Sequence, residues 1–134
     1  LVFIIGTGTG YLVSIITPPE VHQMALVVYM VVNLLFSGGN PQLKEFMNMG
    51  KPLYLFTFTS FMRYALESLY VINILPYREQ FEPFRSNIDA GMEEIYLWSP
   101  SHLVPNILVL AVWAVVINVV SLFALLVWNR KKRV

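Results

Sequence analysis

Two opposite charges stand four residues apart within an otherwise apolar stretch of the sequence. Arg63 and Glu67 lie near the centre of residues 53–75, a run long enough to cross a bilayer as a helix. Residues four apart share one face of an α-helix, so we expect these side chains to form a structural ion pair. An isolated charge at mid-bilayer costs at least about 2.5 kcal/mol, which disfavours a lipid-exposed span. The stretch instead predicts a re-entrant or broken helix that lies against protein or water.

Other residues with catalytic or metal-binding potential are few. The adjacent carboxylates of Glu93 and Glu94 could act as general acid and base or hold a cation. Only His102 stands near them in the sequence and nothing indicates a pocket, so we favour a solvated acidic face. The absence of cysteine excludes thiol catalysis and zinc–thiolate sites. We therefore predict no catalytic residue, no metal site and no cofactor in this chain.

A glycine–threonine patch at residues 6–10 raises a further possibility, a dinucleotide-binding loop. Such a loop needs a surrounding βαβ unit and an acidic residue about twenty positions later, and the sequence indicates neither. Small residues at this spacing also allow two helices to approach closely in a membrane. Helix packing is therefore the favoured role of the patch.

The composition is typical of an integral membrane protein with several spans. Hydrophobic residues make up 57% of the 134 residues and charged residues 13%, and the mean hydropathy is +0.63. A soluble domain typically carries about 25% charged residues. The basic residues are not gathered on one soluble face, so we expect no nucleic-acid partner. Because the sequence opens at Leu1 inside an apolar run, we expect it to be a piece of a longer protein.

The span predicted at residues 18–38 has turn-forming residues at both ends. Its two opening prolines suit the first turn of a helix, which Thr17 can cap. Gly38 and Gly39 can adopt positive φ and end the helix.

The strongest span covers residues 104–128, which contain no charge. Trp128 is followed closely by four consecutive basic residues, at positions 130–133, so the positive-inside rule places this end in the cytoplasm. The acidic loop before the span then lies outside, and the span at 18–38 rises from the cytoplasm.

These patterns predict an all-α membrane protein with three transmembrane helices, the first truncated, plus a re-entrant or interfacial helix and an external loop. The predicted segments are the end of a first span (1–16), a second span (18–38), interfacial and re-entrant helices (42–75), an external loop (76–101), a last span (104–128) and a cytoplasmic tail (129–134).

Short motifs within this order of elements are similar to a known family. Phe36-Ser37-Gly38 closes the second span, and residues 63–69, RYALESL, precede Asn73 in the charged near-membrane helix. With the external loop, last span and basic C-terminus, the chain resembles the C-terminal part of the transmembrane domain of G-subfamily ABC transporters, the ABC-2-type exporters of pigments and drugs. The resemblance makes the three spans the family's fourth, fifth and sixth.

The sequence departs from the family pattern at three places. The family's Asn-Glu-Phe is replaced by Asn73-Ile74-Leu75, and no cysteine is present for external disulfides. In some drug exporters two leucines follow the Phe-Ser-Gly and form a hydrophobic plug, whereas Gly39 and Asn40 stand there in this chain.

In the family the fifth span lines a central cavity between two transmembrane domains. The resemblance therefore implies that Val27, Val31, Leu34 and Phe36 line a path for an apolar or lipid-like substrate. An ordinary packing face is the alternative for each of them. The resemblance to the family also implies that Gly38, Gly39 and Asn40 mark the outer gate region.

The function implied by the resemblance is that of a membrane-domain portion of an ATP-driven exporter in the plasma membrane or an organelle membrane. Its partners would be the lipid bilayer, a second transmembrane domain in a homodimer or heterodimer, and a nucleotide-binding domain that holds ATP and Mg. This chain contains no G-x-x-x-x-G-K-S/T phosphate loop, so it is not an enzyme alone. One alternative is a non-transporting membrane module, such as a small channel or a scaffold subunit. Another is a membrane-bound enzyme, although His22 and His102 are expected on opposite sides of the membrane.

Overall fold

Helices account for all the regular structure in the part of the chain that the structure describes. The computed structural model describes residues 1–80, 85–90 and 97–131, and these contain no β-strand. The predicted all-α class is therefore confirmed. The helices are α1 (Val2–Ile16), α2 (His22–Leu35), α3 (Leu43–Met49), α4 (Lys51–Thr57), α5 (Phe61–Gln80), α6 (Arg85–Ala90) and α7 (Leu103–Lys131), with a 3₁₀ turn at Pro100–His102 before α7.

Among the described helices, α7 alone is both long and apolar enough to cross a membrane. Its 29 residues extend about 43 Å at 1.5 Å per residue. The apolar helices α1 and α2 have 15 and 14 residues. They extend about 22 and 21 Å, which is short of a hydrocarbon core of about 30 Å. The described residues thus contain one clear candidate span, at the position of the predicted last one.

The chain folds into two compact units, Leu1–Val31 with Leu110–Val134, and Val32–Val109. In the first unit, hydrogen bonds join α1 to α7 at two positions about one turn apart along the helices. Ser121 Oγ lies 2.8 Å from the Gly8 carbonyl oxygen, and Asn118 Nδ2 lies 3.4 Å from that of Ile4. Residue numbers increase in the same direction along both helices, so α1 and α7 run parallel.

Gly8 packs closely against α7. A Cβ atom on Gly8 would lie 2.9 Å from Cγ2 of Ile117, whereas Gly6 and Gly10 have no such neighbour within 4 Å. The small-residue patch therefore packs as predicted, and a single glycine carries the contact.

The threonine and serine hydroxyl groups along α1 are satisfied by the helix's own backbone. Thr7, Thr9 and Ser14 donate to carbonyl oxygens three or four residues earlier, at 2.8–2.9 Å. In α7, Asn118 Nδ2 likewise donates to Ala114 O at 2.7 Å. These polar groups need no water, which suits helices surrounded by apolar material.

The turn between α1 and α2 differs from the prediction. Thr17 does not cap α2; it ends α1 in an extended conformation, and its Oγ1 donates to Val13 O at 2.7 Å. A residue before proline avoids the α region, which accounts for the end of α1 here. Val21 N–H donates to Pro18 O at 3.2 Å, so the prolines belong to a turn and α2 begins at His22.

In the second unit, the apolar run at 53–75 is divided between α4 and α5 by a turn at 58–60. Thr57 and Thr59 donate their hydroxyls to carbonyls three residues earlier, both at 2.7 Å. Buried Ser60 donates to the carbonyl oxygen of Asn33 near the end of α2, also at 2.7 Å. Hydroxyls that compete for backbone partners in this way interrupt a helix.

Candidate functional site

Three aliphatic residues of the predicted substrate path lie on one face of α2. Val27, Val31 and Leu34 are spaced by four and three residues, which places them above one another on a helix. Their side chains are 62%, 49% and 57% exposed, respectively. Among the described residues, this face of α2 is therefore largely exposed.

Phe36, the fourth residue assigned to the path, packs within the second unit. Its ring stacks on Phe46 of α3 at a centroid distance of 5.5 Å and lies 5.9 Å from the ring of Phe56 in α4. The side chain is half-buried. Phe36 therefore joins the end of α2 to the two short helices that follow it.

The residues assigned to the gate form a tight turn after α2. Gly38 has φ of +79°, as predicted for a glycine that ends the helix. A Cβ atom at this position would lie 2.6 Å from Cγ of buried Leu43, so the close packing also requires glycine. Gly39 N–H donates to Ser37 Oγ at 3.4 Å, and Asn40 is exposed. This turn seats the start of α3 against the end of α2.

Arg63 lies in an aromatic surrounding at the start of α5. Its guanidinium carbon is 4.1 Å from the ring centroid of Phe58, with the rings of Tyr54 and Tyr64 within 6 Å. Its Nη1 donates to Oγ1 of buried Thr57 at 2.8 Å. Aromatic faces attract a cation, so these contacts stabilise the turn between α4 and α5.

Tyr64 adds a second bond across the same turn. Burial raises the pKa of its phenol, Arg63 opposes that rise and Glu67 adds to it. The phenol is therefore protonated at neutral pH, and it donates to the carbonyl oxygen of Phe58 at 3.0 Å.

Glu67 lies one turn further along α5 and is buried, with 3% of its surface exposed. Its Oε1 lies 2.8 Å from Nδ1 of His102 and accepts the backbone N–H of Ser99 at 3.3 Å. Trp98, next to Ser99, is also buried. Its ring packs edge-on against that of Tyr70 in α5, with 5.0 Å between the ring centroids. Glu67 thus ties the segment before α7 to α5.

These contacts replace the ion pair predicted between Arg63 and Glu67. In the described structure Arg63 binds Thr57 and the aromatic rings, and Glu67 binds His102. Helical side chains lean towards the N-terminus, so Arg63 extends past the start of α5 and away from the glutamate. Both charged side chains contact protein groups, as expected for charges within an apolar stretch, but the predicted pairing between them was wrong.

Ser99 and His102 stand 32 and 35 positions after Glu67, and their contacts with it were not predicted from the sequence. Helical periodicity relates only residues within a few turns, so it carries no signal for this pairing. Glu93 and Glu94 lie outside the described residues. Within the described ranges, no group of three or more His, Cys, Asp or Glu side chains is placed to hold a metal ion.

Comparisons with known proteins add no family to this geometry. No protein-family model, no curated protein and no solved structure matches the chain.

Proposed function

We propose that the chain is the C-terminal part of the membrane domain of an ATP-driven exporter similar to the G-subfamily ABC transporters. In this proposal α2 contributes to the path of an apolar or lipid-like substrate. The main support for this proposal is the parallel packing of α1 and α7. If both helices enter the membrane, their parallel direction limits how many times the chain between them can cross it.

Parallel helices that both enter the bilayer must have their C-terminal ends on the same side. The chain that leaves α1 must therefore cross back an odd number of times before it reaches α7. If α2 supplies that crossing, the segment between α2 and α7 makes no net crossing. The result is two spans, a segment that stays on the outer side and a last span, which is the order found in the proposed family.

The contacts of α5 support its place outside the set of spans. Arg63 and Glu67 both have protein partners, and Glu67 binds the segment directly before α7. The helix also begins after the 58–60 turn rather than continuing α4. A charged helix tied to the chain that enters α7 fits a re-entrant element better than a crossing one.

The exposed face of α2 supports the assignment of the substrate path. Val27, Val31 and Leu34 offer an aliphatic surface with no charge, which matches an apolar substrate better than an ion. A second transmembrane domain would close the cavity opposite this face. ATP hydrolysis would belong to a nucleotide-binding domain outside this sequence.

The test compares tryptophan substitutions at two neighbouring positions of α2, Val31 and Val32. Each variant of the full protein is reconstituted in vesicles. Val31→Trp should block ATP-dependent movement of a fluorescent lipid analogue while leaving assembly, measured by gel filtration, intact. Val32→Trp is the matched control, because Val32 is also exposed but lies about 100° further round the helix. Unaltered transport by Val31→Trp would count against the path. Transport that needs no ATP would favour the channel alternative.

A further inference from the structure

Helix α5 contacts two parts of the chain that are distant from each other in the sequence. One is the end of α2, and the other is the segment that leads into α7. All of these contacts lie within the second compact unit, Val32–Val109. Both contacts involve buried side chains, so we consider what α5 does to the two helices that it joins.

The first set of contacts joins α5 to the end of α2. Ser60, directly before α5, is 2% exposed and donates its hydroxyl to the carbonyl oxygen of buried Asn33 at 2.7 Å. In the turn after α2, a Cβ atom on Gly39 would lie 3.6 Å from Cδ1 of Leu66, which is ordinary van der Waals contact. The end of α2 is therefore held both before the first residue of α5 and further along that helix.

Helix α4 provides a second connection between α2 and α5. The ring of Phe36, directly after α2, lies 5.9 Å from that of Phe56 in α4. Arg63 of α5 in turn donates to Oγ1 of Thr57, at the end of α4, at 2.8 Å. More than one contact must therefore break before α5 separates from the end of α2.

The second set of contacts joins α5 to the segment that leads into α7. Buried Glu67 accepts the backbone N–H of Ser99 at 3.3 Å, and its Oε1 lies 2.8 Å from Nδ1 of His102. One turn further along α5, the ring of Tyr70 lies 5.0 Å from that of buried Trp98. His102 directly precedes α7, so the start of that helix is fixed to the same side of the unit.

The part of α5 between the two sets of contacts is a continuous helix. It extends about 14 Å from Phe61 to Tyr70 at 1.5 Å per residue. Rigid secondary elements can carry a displacement from one contact to another. Breaking the contacts of Ser60 or Glu67 would leave buried polar groups unsatisfied, which carries the full cost of their desolvation. The connection is therefore both stiff and hard to open.

We propose that α5 is a strut that makes the end of α2 and the start of α7 move as one body. A displacement of the end of α2 is passed through α5 to α7 and is not absorbed by the chain between them. The strut depends only on contacts within the second unit, so it does not require that the chain belongs to an exporter.

The test measures the distance between the two joined parts by double electron–electron resonance of the full protein in nanodiscs. This chain has no cysteine, so spin labels can be attached through Leu35→Cys and Val104→Cys, both at exposed positions. Cysteines elsewhere in the full protein are replaced, and labelled protein is diluted with unlabelled protein. We expect one narrow distance peak. Several peaks or a broad distribution in this labelled protein would overturn the proposal.

Variants that remove the contacts on either side of α5 should release the labelled pair. Glu67→Ala removes the polar contacts with the segment before α7, and Ser60→Ala combined with Phe36→Ala removes contacts with the end of α2. Each change should clearly broaden the distance peak. Asn73→Ala is the matched control, because Asn73 also lies on α5 but its amide donates within that helix. A peak that stays narrow after either change would refute the strut.

Combining the changes on both sides distinguishes a strut from two unrelated contacts. A strut fails when either end is released, so the combined variant should be only slightly broader than the broader of the two. Broadening that simply adds would contradict the strut. Circular dichroism checks that each variant keeps its helix content. If Glu67→Ala loses helix content, His102→Ala replaces it, because it leaves the Ser99 bond in place, and an unchanged narrow peak would then overturn the proposal.

Discussion

The Oε1 atom of buried Glu67 lies 2.8 Å from Nδ1 of His102, a residue whose own side chain is half exposed. This unequal burial predicts unequal effects of mutation. Glu67→Ala removes both the histidine contact and the acceptor of the Ser99 N–H. Hydrogen bonds to a charged group contribute about 1.5–3 kcal/mol, so the melting temperature should fall clearly.

His102→Ala should cost less, about 0–1 kcal/mol, because its partner retains the Ser99 N–H and water can reach the vacated position. Thermal unfolding of the purified protein in detergent, followed by tryptophan fluorescence, measures both. Glu20→Ala, at an exposed site, is the control for loss of a carboxylate. Equal losses for Glu67→Ala and Glu20→Ala would contradict the anchoring role of Glu67.

The separate partners of Arg63 and Glu67 predict the result of a charge swap. Each single reversal, Arg63→Glu or Glu67→Arg, should destabilise the protein, because each places the wrong charge among its partners. The double reversal should not restore stability, because neither new side chain recovers the contacts with Thr57 or with His102. The measurement is the melting temperature of all three variants. Recovery in the double variant would show that the two charges pair directly.

The aromatic contacts of Arg63 predict that lysine cannot replace it. Lysine keeps the charge but lacks the planar guanidinium that lies over Phe58 and reaches Thr57. Arg63→Lys should therefore destabilise the protein by about 1 kcal/mol. Arg85→Lys, at an exposed position, should have little effect on the same thermal unfolding curve. If Arg63→Lys left the melting temperature unchanged, the residue would contribute to stability only through its charge.

Gly8 predicts a position-specific effect of bulk in α1. Gly8→Val should separate α1 from α7, because even its Cβ would lie 2.9 Å from Ile117 Cγ2. The overpacking should cost about 1–3 kcal/mol. Gly6→Val carries the same change in helix propensity at an open position and serves as the matched control. Comparable unfolding temperatures for the two variants would argue against the close contact.

The sequence was most informative where one residue's own chemistry decides the local structure. Gly38 shows this, since positive φ at a helix end is a property of glycine itself. The glycine–threonine patch also predicted a close helix contact, although no feature of the neighbouring sequence distinguished Gly8 from Gly6 and Gly10. That distinction depends on where Ile117 lies, more than a hundred positions later.

Local signals failed where two segments compete for one residue. Thr17 can cap the helix that follows or end the helix that precedes it, and its bond to Val13 decides for the latter. Glu67 is a similar case. Its burial against protein was expected from the cost of a charge in lipid, but the choice of His102 over Arg63 depends on how the 97–102 segment packs on α5.

The parallel arrangement of α1 and α7 predicts which loops face the same side of the membrane. The chain has no cysteine of its own, so single cysteines can report accessibility within it. A cysteine in place of Glu20, in the turn after α1, should react with a membrane-impermeant maleimide only from the side of the basic tail. Cysteines in place of Lys51 and Ser86 should react only from the opposite side. If α7 were the only crossing, Glu20→Cys, Lys51→Cys and Ser86→Cys would all react from one side, and the three-span proposal would fail.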